Sequence, residues 1–202
     1  IRHGGVTLIR VSDNGTGIEP DDVPMMFLRH ATSKVRTQED LSRIATLGFR
    51  GEAMASIHAV SRVEVLTRKQ GSDEGTCYRG EGGQPGEMTP AGCPAGTTIK
   101  VMDLFYNTPA RMKFLKKDVQ EGNSVAAVVE RIALSHPEIA FTLHHDNRLV
   151  VKTSGSNDLL KTIHEIYGLQ VSSKMIEIKA SNDDFDLYGY VCKPEILKSN
   201  RN

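Results

Sequence analysis

The chain has 202 residues, enough for one large or two small domains, and its 39% hydrophobic and 25% charged residues are ordinary for a globular protein. Its 25 basic and 25 acidic residues cancel, which argues against a strong, evenly spread polyanion-binding surface but is compatible with local basic patches. Three widely spaced cysteines, with no Cys-x-x-Cys pattern, favour a reducing compartment over a disulfide framework or a zinc site.

The first informative stretch is an apolar-alternating run at residues 6–11, which predicts a strand. It leads into the string Asp13-Asn14-Gly15-Thr16-Gly17-Ile18. An ionised carboxylate only accepts hydrogen bonds, so Asp13 suits an exocyclic amino group such as that of adenine and would repel a carbonyl oxygen. Gly15 and Gly17 lack a Cβ, which lets the backbone turn sharply and a flat ligand come close. The alternative is an Asn-Gly turn that closes a hairpin.

Helix-start signals follow at residues 19–22, and Val23, Met26 and Phe27 form the apolar face of a predicted short helix. The polar run at residues 29–34, Arg-His-Ala-Thr-Ser-Lys, would suit an anion, and a solvated loop is the alternative interpretation. Thr37 and Asp40 resemble a capping arrangement for a second helix.

Residues 47–57 combine two glycines three positions apart, Gly48 and Gly51, with a run of good helix formers. The free N–H groups of such a helix start carry partial positive charge and favour phosphate oxygens. The pattern is not a P-loop, because Gly-Lys-Ser/Thr occurs nowhere in the chain. Glu52 is explained better by the helix dipole than as a general base.

Strands are predicted over residues 61–67, 76–79 and 97–104, with a long glycine- and proline-rich loop over residues 80–96. Thr97, after Gly96, could offer a hydroxyl to a ligand, or the pair could be a simple strand entry. Pro109 is typical of a helix start. Four cations there make the most basic patch in the chain, which we interpret as a solvated helix face: Arg111, Lys113, Lys116 and Lys117.

Residues 120–135 predict the longest helix, and residues 139–145 and 149–153 predict a hairpin. Neighbouring strand residues point to opposite faces, so His144 and His145 cannot grip one ion and no metal site is predicted. The polar stretch at residues 154–158 predicts a boundary between domains at 1–154 and 155–202. A helix at residues 159–167 and strands at 175–180 and 185–191 are predicted beyond it.

Four strings carry a resemblance to a known family: residues 13–18, residues 29–34, Thr-Leu-Gly-Phe-Arg-Gly-Glu-Ala at 46–53, and Asp-Leu-Phe-Tyr-Asn-Thr-Pro-Ala-Arg at 103–111. In this order the chain resembles the MutL family of DNA mismatch repair proteins, within the GHKL ATPases. The resemblance covers most of the chain and weakens after about residue 154. It implies an α+β fold in which a mixed sheet and helices form a two-layer sandwich. Part of a smaller α/β domain, ribosomal-S5-domain-2-like and transducer-like, is expected to follow.

The resemblance also implies a nucleotide site for ATP, with Mg²⁺. Asp13 resembles the family's adenine-recognising acid and Thr97 its threonine near the adenine, with the base approaching over Gly15, Gly17 and Ile18. The residues that resemble the lid over the phosphates are Thr32, Ser33 and Lys34. The second phosphate-binding segment is implied for Gly48, Phe49, Arg50, Gly51, Glu52 and Ala53.

The family's activity is an ATP-gated clamp: ATP binding orders the lid and pairs two N-terminal regions, and slow hydrolysis resets them. The implied partners are a second copy of the protein, the mismatch sensor MutS, DNA, and a downstream nuclease or helicase, with no membrane. The implied location is the bacterial cytoplasm, associated with the nucleoid.

No residue of this chain matches the family's general-base glutamate, its magnesium-binding asparagine or its γ-phosphate lysine, all of which are expected outside residues 1–202. Hydrolysis depends on positioning a water and neutralising phosphate charge, so no catalytic residue is assigned and we expect no useful turnover by this chain alone. The alternatives are another GHKL ATPase, such as a topoisomerase or chaperone, and a non-catalytic interaction scaffold with the same fold.

Overall fold

The computed structural model describes residues 1–29 and 51–195. The chain forms two compact units, Ile1–Lys116 and Lys117–Asn202. The domain boundary predicted between residues 154 and 155 falls inside the second unit and stays a prediction. In the described part of the chain, no helix has the length and apolar character needed to cross a membrane.

The first unit is built on a five-stranded sheet in the order β1-β5-β2-β3-β4, and each pair of neighbours is antiparallel. The strands are β1 (Leu8–Asp13), β2 (Arg62–Arg68), β3 (Gly75–Glu81), β4 (Glu87–Ala91) and β5 (Gly96–Met102). The helical elements in the described part of this unit are 3₁₀ turns at His3–Gly5, Pro20–Asp22 and Pro24–Phe27, with helices α1 (Ala53–His58) and α2 (Pro109–Met112). The predicted α+β class is confirmed.

One face of this sheet carries the core, because alternate residues of a strand point to the same side. Val63 and Val65 of β2 are buried with Val101 of β5, which lies opposite Val63. Met54 and Ile57 of α1 pack against this cluster, so the helical layer covers this face. The Pro24–Phe27 turn adds Met26 and Phe27, and the Phe27 ring stacks on Tyr78 of β3 at 4.5 Å between centroids.

Two local predictions were wrong, and one alternative is excluded. Residues 80–96 are not one long loop, because β4 pairs with β3 there; its Pro90 is tolerated since β4 is an edge strand. The short helix predicted around Val23 is two 3₁₀ turns, each beginning at a proline. The hairpin alternative for Asn14-Gly15 is excluded, because β1 pairs with β5 and not with the next strand along the chain.

The second unit contains helices α3 (Asp118–Ser135), α4 (Leu159–Tyr167) and α5 (Leu169–Ser172), with hairpins β6–β7 (Thr142–His145 and Arg148–Lys152) and β8–β9 (Met175–Ser181 and Asp186–Cys192). Apart from α5, which was not predicted, these elements match the predicted ones to within a few residues. Ala126 of α3 is buried against Leu143 and Val151 of the first hairpin. Asp158 caps α4, its Oδ1 accepting a hydrogen bond of 3.0 Å from the Lys161 N–H.

Candidate functional site

A row of polar residues crosses the first sheet at one end of its core face. Asp13 is the last residue of β1 and lies opposite Thr97 of β5, which in turn lies opposite Thr67 of β2. Thr67 shares its face with Val63 and Val65 because it follows them at the two-residue period of a strand. Thr97 and Thr67 are 8% and 1% exposed, whereas Asp13 is exposed. Two hydroxyls are therefore buried next to an accessible carboxylate.

The carboxylate of Asp13 is held through one of its two oxygens. Oδ1 accepts a hydrogen bond of 2.9 Å from the Gly15 N–H and one of 3.3 Å from the Thr97 N–H. The described residues provide no hydrogen-bond donor to Oδ2 of Asp13. Two backbone donors fix the orientation of the carboxylate and leave one charged acceptor for another molecule.

Thr67 is part of this cluster, although the sequence did not single it out. Its Oγ1 lies 2.9 Å from the Ile18 N–H that donates to it, 3.1 Å from the carbonyl of Gly96 and 3.0 Å from Oγ1 of Thr97. The available signal was its alternation with Val63 and Val65, which puts a polar side chain at a core position.

Backbone packing explains the two glycines in the turn after β1, where the approach of a flat ligand was expected to explain them. Gly17 has φ +75°, and a Cβ there would lie 2.1 Å from the carbonyl oxygen of Arg68. The backbone of Gln70 also donates a 2.9 Å hydrogen bond to the Thr16 carbonyl. Gly17 is needed because the turn packs directly against the backbone that follows β2. A Cβ on Gly15 would lie 2.9 Å from Oδ1 of Asp13, so this glycine makes room for the carboxylate.

The predicted phosphate segment is described only in part. Gly51 has φ +66° and is followed by Glu52, the N-cap of α1, whose carbonyl accepts a 2.9 Å hydrogen bond from the Ser56 N–H. Helix α1 then begins at Ala53, as expected for a glycine-led helix start. The other residues assigned to phosphate contacts lie outside the described residues: Thr32, Ser33, Lys34, Gly48, Phe49 and Arg50.

The cations after β5 do not belong to this row. The four basic side chains Arg111, Lys113, Lys116 and Lys117 are exposed, in agreement with a solvated surface. Helix α2 itself is only Pro109–Met112, with Pro109 at its first turn.

The chain is similar to bacterial mismatch repair proteins along its whole length. It is 48% identical over 202 residues to the DNA mismatch repair protein MutL of Streptococcus sanguinis and 45% identical over 202 residues to that of Agathobacter rectalis. It spans about a third of the length of these curated relatives, 31% in each case. No family model matches the chain.

A solved structure supports the fold. The Aquifex aeolicus MutL ATPase domain complexed with ADP is 32% identical in sequence and superposes with a TM-score of 0.69. The match covers 89% of this chain and 62% of that one. The α+β fold of the chain is therefore similar to that of a MutL ATPase domain.

Proposed function

We propose that the chain forms the ATP-binding region of a DNA mismatch repair clamp protein, because it is similar to MutL proteins over its whole length. In this proposal the adenine is bound at the end of β1 and the start of β5, where Asp13 and Thr97 lie opposite each other. The Aquifex aeolicus MutL ATPase domain is complexed with ADP, which supports a nucleotide ligand for this fold.

The observation that carries the proposal is that no described residue donates a hydrogen bond to Oδ2 of Asp13. Oδ1 is occupied by the N–H groups of Gly15 and Thr97, so Oδ2 is the acceptor offered to a ligand. A carboxylate oxygen pairs with the 6-amino group of adenine and repels the 6-carbonyl of guanine. Asp13 and Thr97 therefore fit an adenine base, and the expected preference for adenine over guanine follows from the negative charge of Asp13.

The triphosphate is proposed to extend toward the start of α1, where Gly51, Glu52 and Ala53 provide backbone N–H groups. Mg²⁺ would neutralise the phosphate oxygens when it is bound with ATP. ATP-driven dimerisation, slow hydrolysis, and recruitment of MutS, DNA and a nuclease or helicase are proposed for the whole protein, in the bacterial cytoplasm.

An Asp13→Asn variant tests the base assignment without changing side-chain size. The N–H groups of Gly15 and Thr97 hold the amide oxygen at the Oδ1 position, so the amide NH₂ takes the place of Oδ2. That group repels the adenine amino group and donates to a guanine carbonyl. We expect the affinity for ATP to fall at least about tenfold and the preference to move toward GTP.

The measurement is calorimetric titration of the full-length protein with ATP and with GTP. The matched control is Asp21→Asn, an exposed acid in the Pro20–Asp22 turn, which should leave both affinities unchanged. An Asp13→Asn variant that binds ATP as tightly as the unmodified protein would contradict the adenine assignment. A full-length protein that binds no nucleotide would favour the scaffold alternative.

A further inference from the structure

Thr67 occupies a position that the proposed ligand contacts do not use. It lies near the end of β2, 1% exposed, and its hydroxyl is surrounded by the segments that carry the site. Ile18 follows the glycine turn, while Gly96 and Thr97 open β5. The glycine turn, the start of β5 and β2 itself therefore meet at the hydroxyl oxygen of Thr67.

The hydrogen-bonding capacity of that oxygen is completely used. A hydroxyl can donate one hydrogen bond and accept two. Thr67 Oγ1 accepts from the Ile18 N–H at 2.9 Å, and it lies 3.1 Å from the Gly96 carbonyl and 3.0 Å from the Thr97 hydroxyl. The carbonyl can only accept. Complete pairing therefore requires Thr67 to donate to Gly96 and to accept from Thr97.

This hydrogen-bond pattern fixes the direction of the Thr97 O–H bond. With its hydrogen directed at Thr67, the Thr97 oxygen has lone pairs, and no hydrogen, to present to any other neighbour. Thr97 also donates its backbone N–H to Oδ1 of Asp13 at 3.3 Å, so the same residue orients the carboxylate. Asp13 and Thr97 then offer a ligand acceptors only, which matches an amino group and rejects a carbonyl oxygen.

We infer that Thr67 is a positioning residue for adenine recognition, which orients the Thr97 hydroxyl and ties the turn after β1 to the start of β5. The inference rests on the proposed function, because it assumes that Asp13 and Thr97 bind the base. Thr67 is too buried to touch the ligand itself, so its effect passes through these neighbours.

Removing only the hydroxyl tests this role. Thr67→Val keeps the shape of the side chain but offers no acceptor to Ile18 or Thr97, and it frees the Thr97 hydrogen to point elsewhere. We expect the affinity of the full-length protein for ATP to fall about tenfold and the ATP-over-GTP preference to fall with it. Thr67→Ser restores the oxygen and should bring both values back to within about twofold of the unmodified protein.

The control is Thr76→Val. Thr76 lies opposite Thr67 on β3 and is 9% exposed, but it is farther along the row from Asp13. Its substitution should leave ATP affinity and base preference unchanged. If Thr67→Val does not fold, Thr67→Ala removes the same hydroxyl with less bulk and is measured in its place.

Two outcomes distinguish the inference from the function on which it rests. If the unmodified protein prefers ATP and the folded Thr67→Val variant has the same affinity and preference, Thr67 has a structural role only and the inference is wrong. If the unmodified full-length protein binds ATP and GTP equally well, or binds no ATP, the proposed adenine site itself is wrong.

Discussion

The two faces of the first sheet handle polar side chains in different ways. On the core face, Thr67 and Thr97 are almost fully buried and bonded to each other and to the backbone. On the opposite face of the same strands, Glu64 accepts hydrogen bonds from Arg79 at 2.8 Å and from Lys100 at 2.5 Å. The side chains of Arg79 and Lys100 are 67% and 31% exposed, so these cations reach solvent although the side chain of Glu64 is only 12% exposed.

This difference between the two faces determines on which face the orientation of side chains is fixed. A buried donor or acceptor that loses its partner costs about 1–3 kcal/mol, because water cannot replace the lost hydrogen bond. An ion pair open to solvent contributes roughly 0–1 kcal/mol, because water and salt screen it. The threonine face can therefore hold a ligand-binding group in one orientation, whereas the ionic face mainly keeps the sheet surface charged.

The largest expected effect comes from the backbone that supports the threonine face. Gly96 has φ +110°, and a Cβ there would lie 2.2 Å from the carbonyl oxygen of Asp13. Gly96→Ala should lower the free energy of unfolding by more than about 3 kcal/mol, since it adds backbone strain and separates β1 from β5. Denaturant unfolding measures this. Gly92→Ala, which has open space around it, should change it by less than about 0.5 kcal/mol; equal effects would contradict the close approach.

Removal of the Thr67 hydroxyl should have the next largest effect on stability. Thr67→Val leaves the Ile18 N–H and the Gly96 carbonyl without this partner in a buried site. We expect a loss of about 1–3 kcal/mol in the free energy of unfolding, with most of it recovered in Thr67→Ser. A loss that Thr67→Ser does not recover would mean that packing, and not hydrogen bonding, determines this position.

Glu64→Gln should cost about 1 kcal/mol, because Glu64 is buried while both of its cations reach solvent, and added salt should reduce the difference from the unmodified protein. Hydrogen bonding from Lys100 is the largest cause that lowers the pKa of Glu64 from its ordinary 4.5, and the Arg79 hydrogen bond adds to it. A lowered pKa means that the contribution is complete above about pH 4.5 and is lost as the pH falls through the native value. Urea unfolding at several salt concentrations checks this; a difference that salt does not change would contradict it.

The smallest effect on stability should appear only on mild acidification, and it should come from the buried residue His58. Burial lowers the pKa of His58 from 6.5, and its ring packs beside the stacked pair Phe27 and Tyr78, with ring centroids 4.8 Å and 6.1 Å away. The Nε2 atom of His58 has no hydrogen-bond partner among the described residues. The unfolded chain therefore binds a proton more readily than the native one, and stability should decline as the pH falls below 6.5.

His58→Leu should flatten this decline, whereas His3→Gln, at an exposed residue, should leave it as it is. Thermal unfolding between pH 7.5 and pH 5.5 measures both. An identical pH dependence in the His58→Leu variant would show that another group governs the acid response.

Local sequence patterns predicted most helices and strands, but they could not predict which of these elements pair with each other. The alternation around Val63 and Val65 was enough for β2, and the helix predicted over residues 159–167 has the same bounds as α4. The pairing of β1 with β5 could not be predicted, because it joins residues far apart in the chain. That pairing puts Thr97 opposite Asp13. The β4 strand was missed because Pro90 and the surrounding glycines are typical of a loop.

The candidate site shows the same limit. Asp13 and Thr97 could be selected by residue type and by resemblance, but the reason for Gly17 required the position of the Arg68 carbonyl. Thr67 became recognisable only when its three hydrogen-bond partners were known. A polar residue on the apolar face of a predicted strand is the signal that would identify similar positions in other chains.

The most direct test is a crystal structure of the full-length protein with a non-hydrolysable ATP analogue. We expect the adenine amino group within hydrogen-bond distance of Oδ2 of Asp13, with Oδ1 still accepting from the N–H groups of Gly15 and Thr97. An ATP analogue bound with its base away from Asp13, or a guanine analogue seated equally well in the same position, would contradict the adenine assignment.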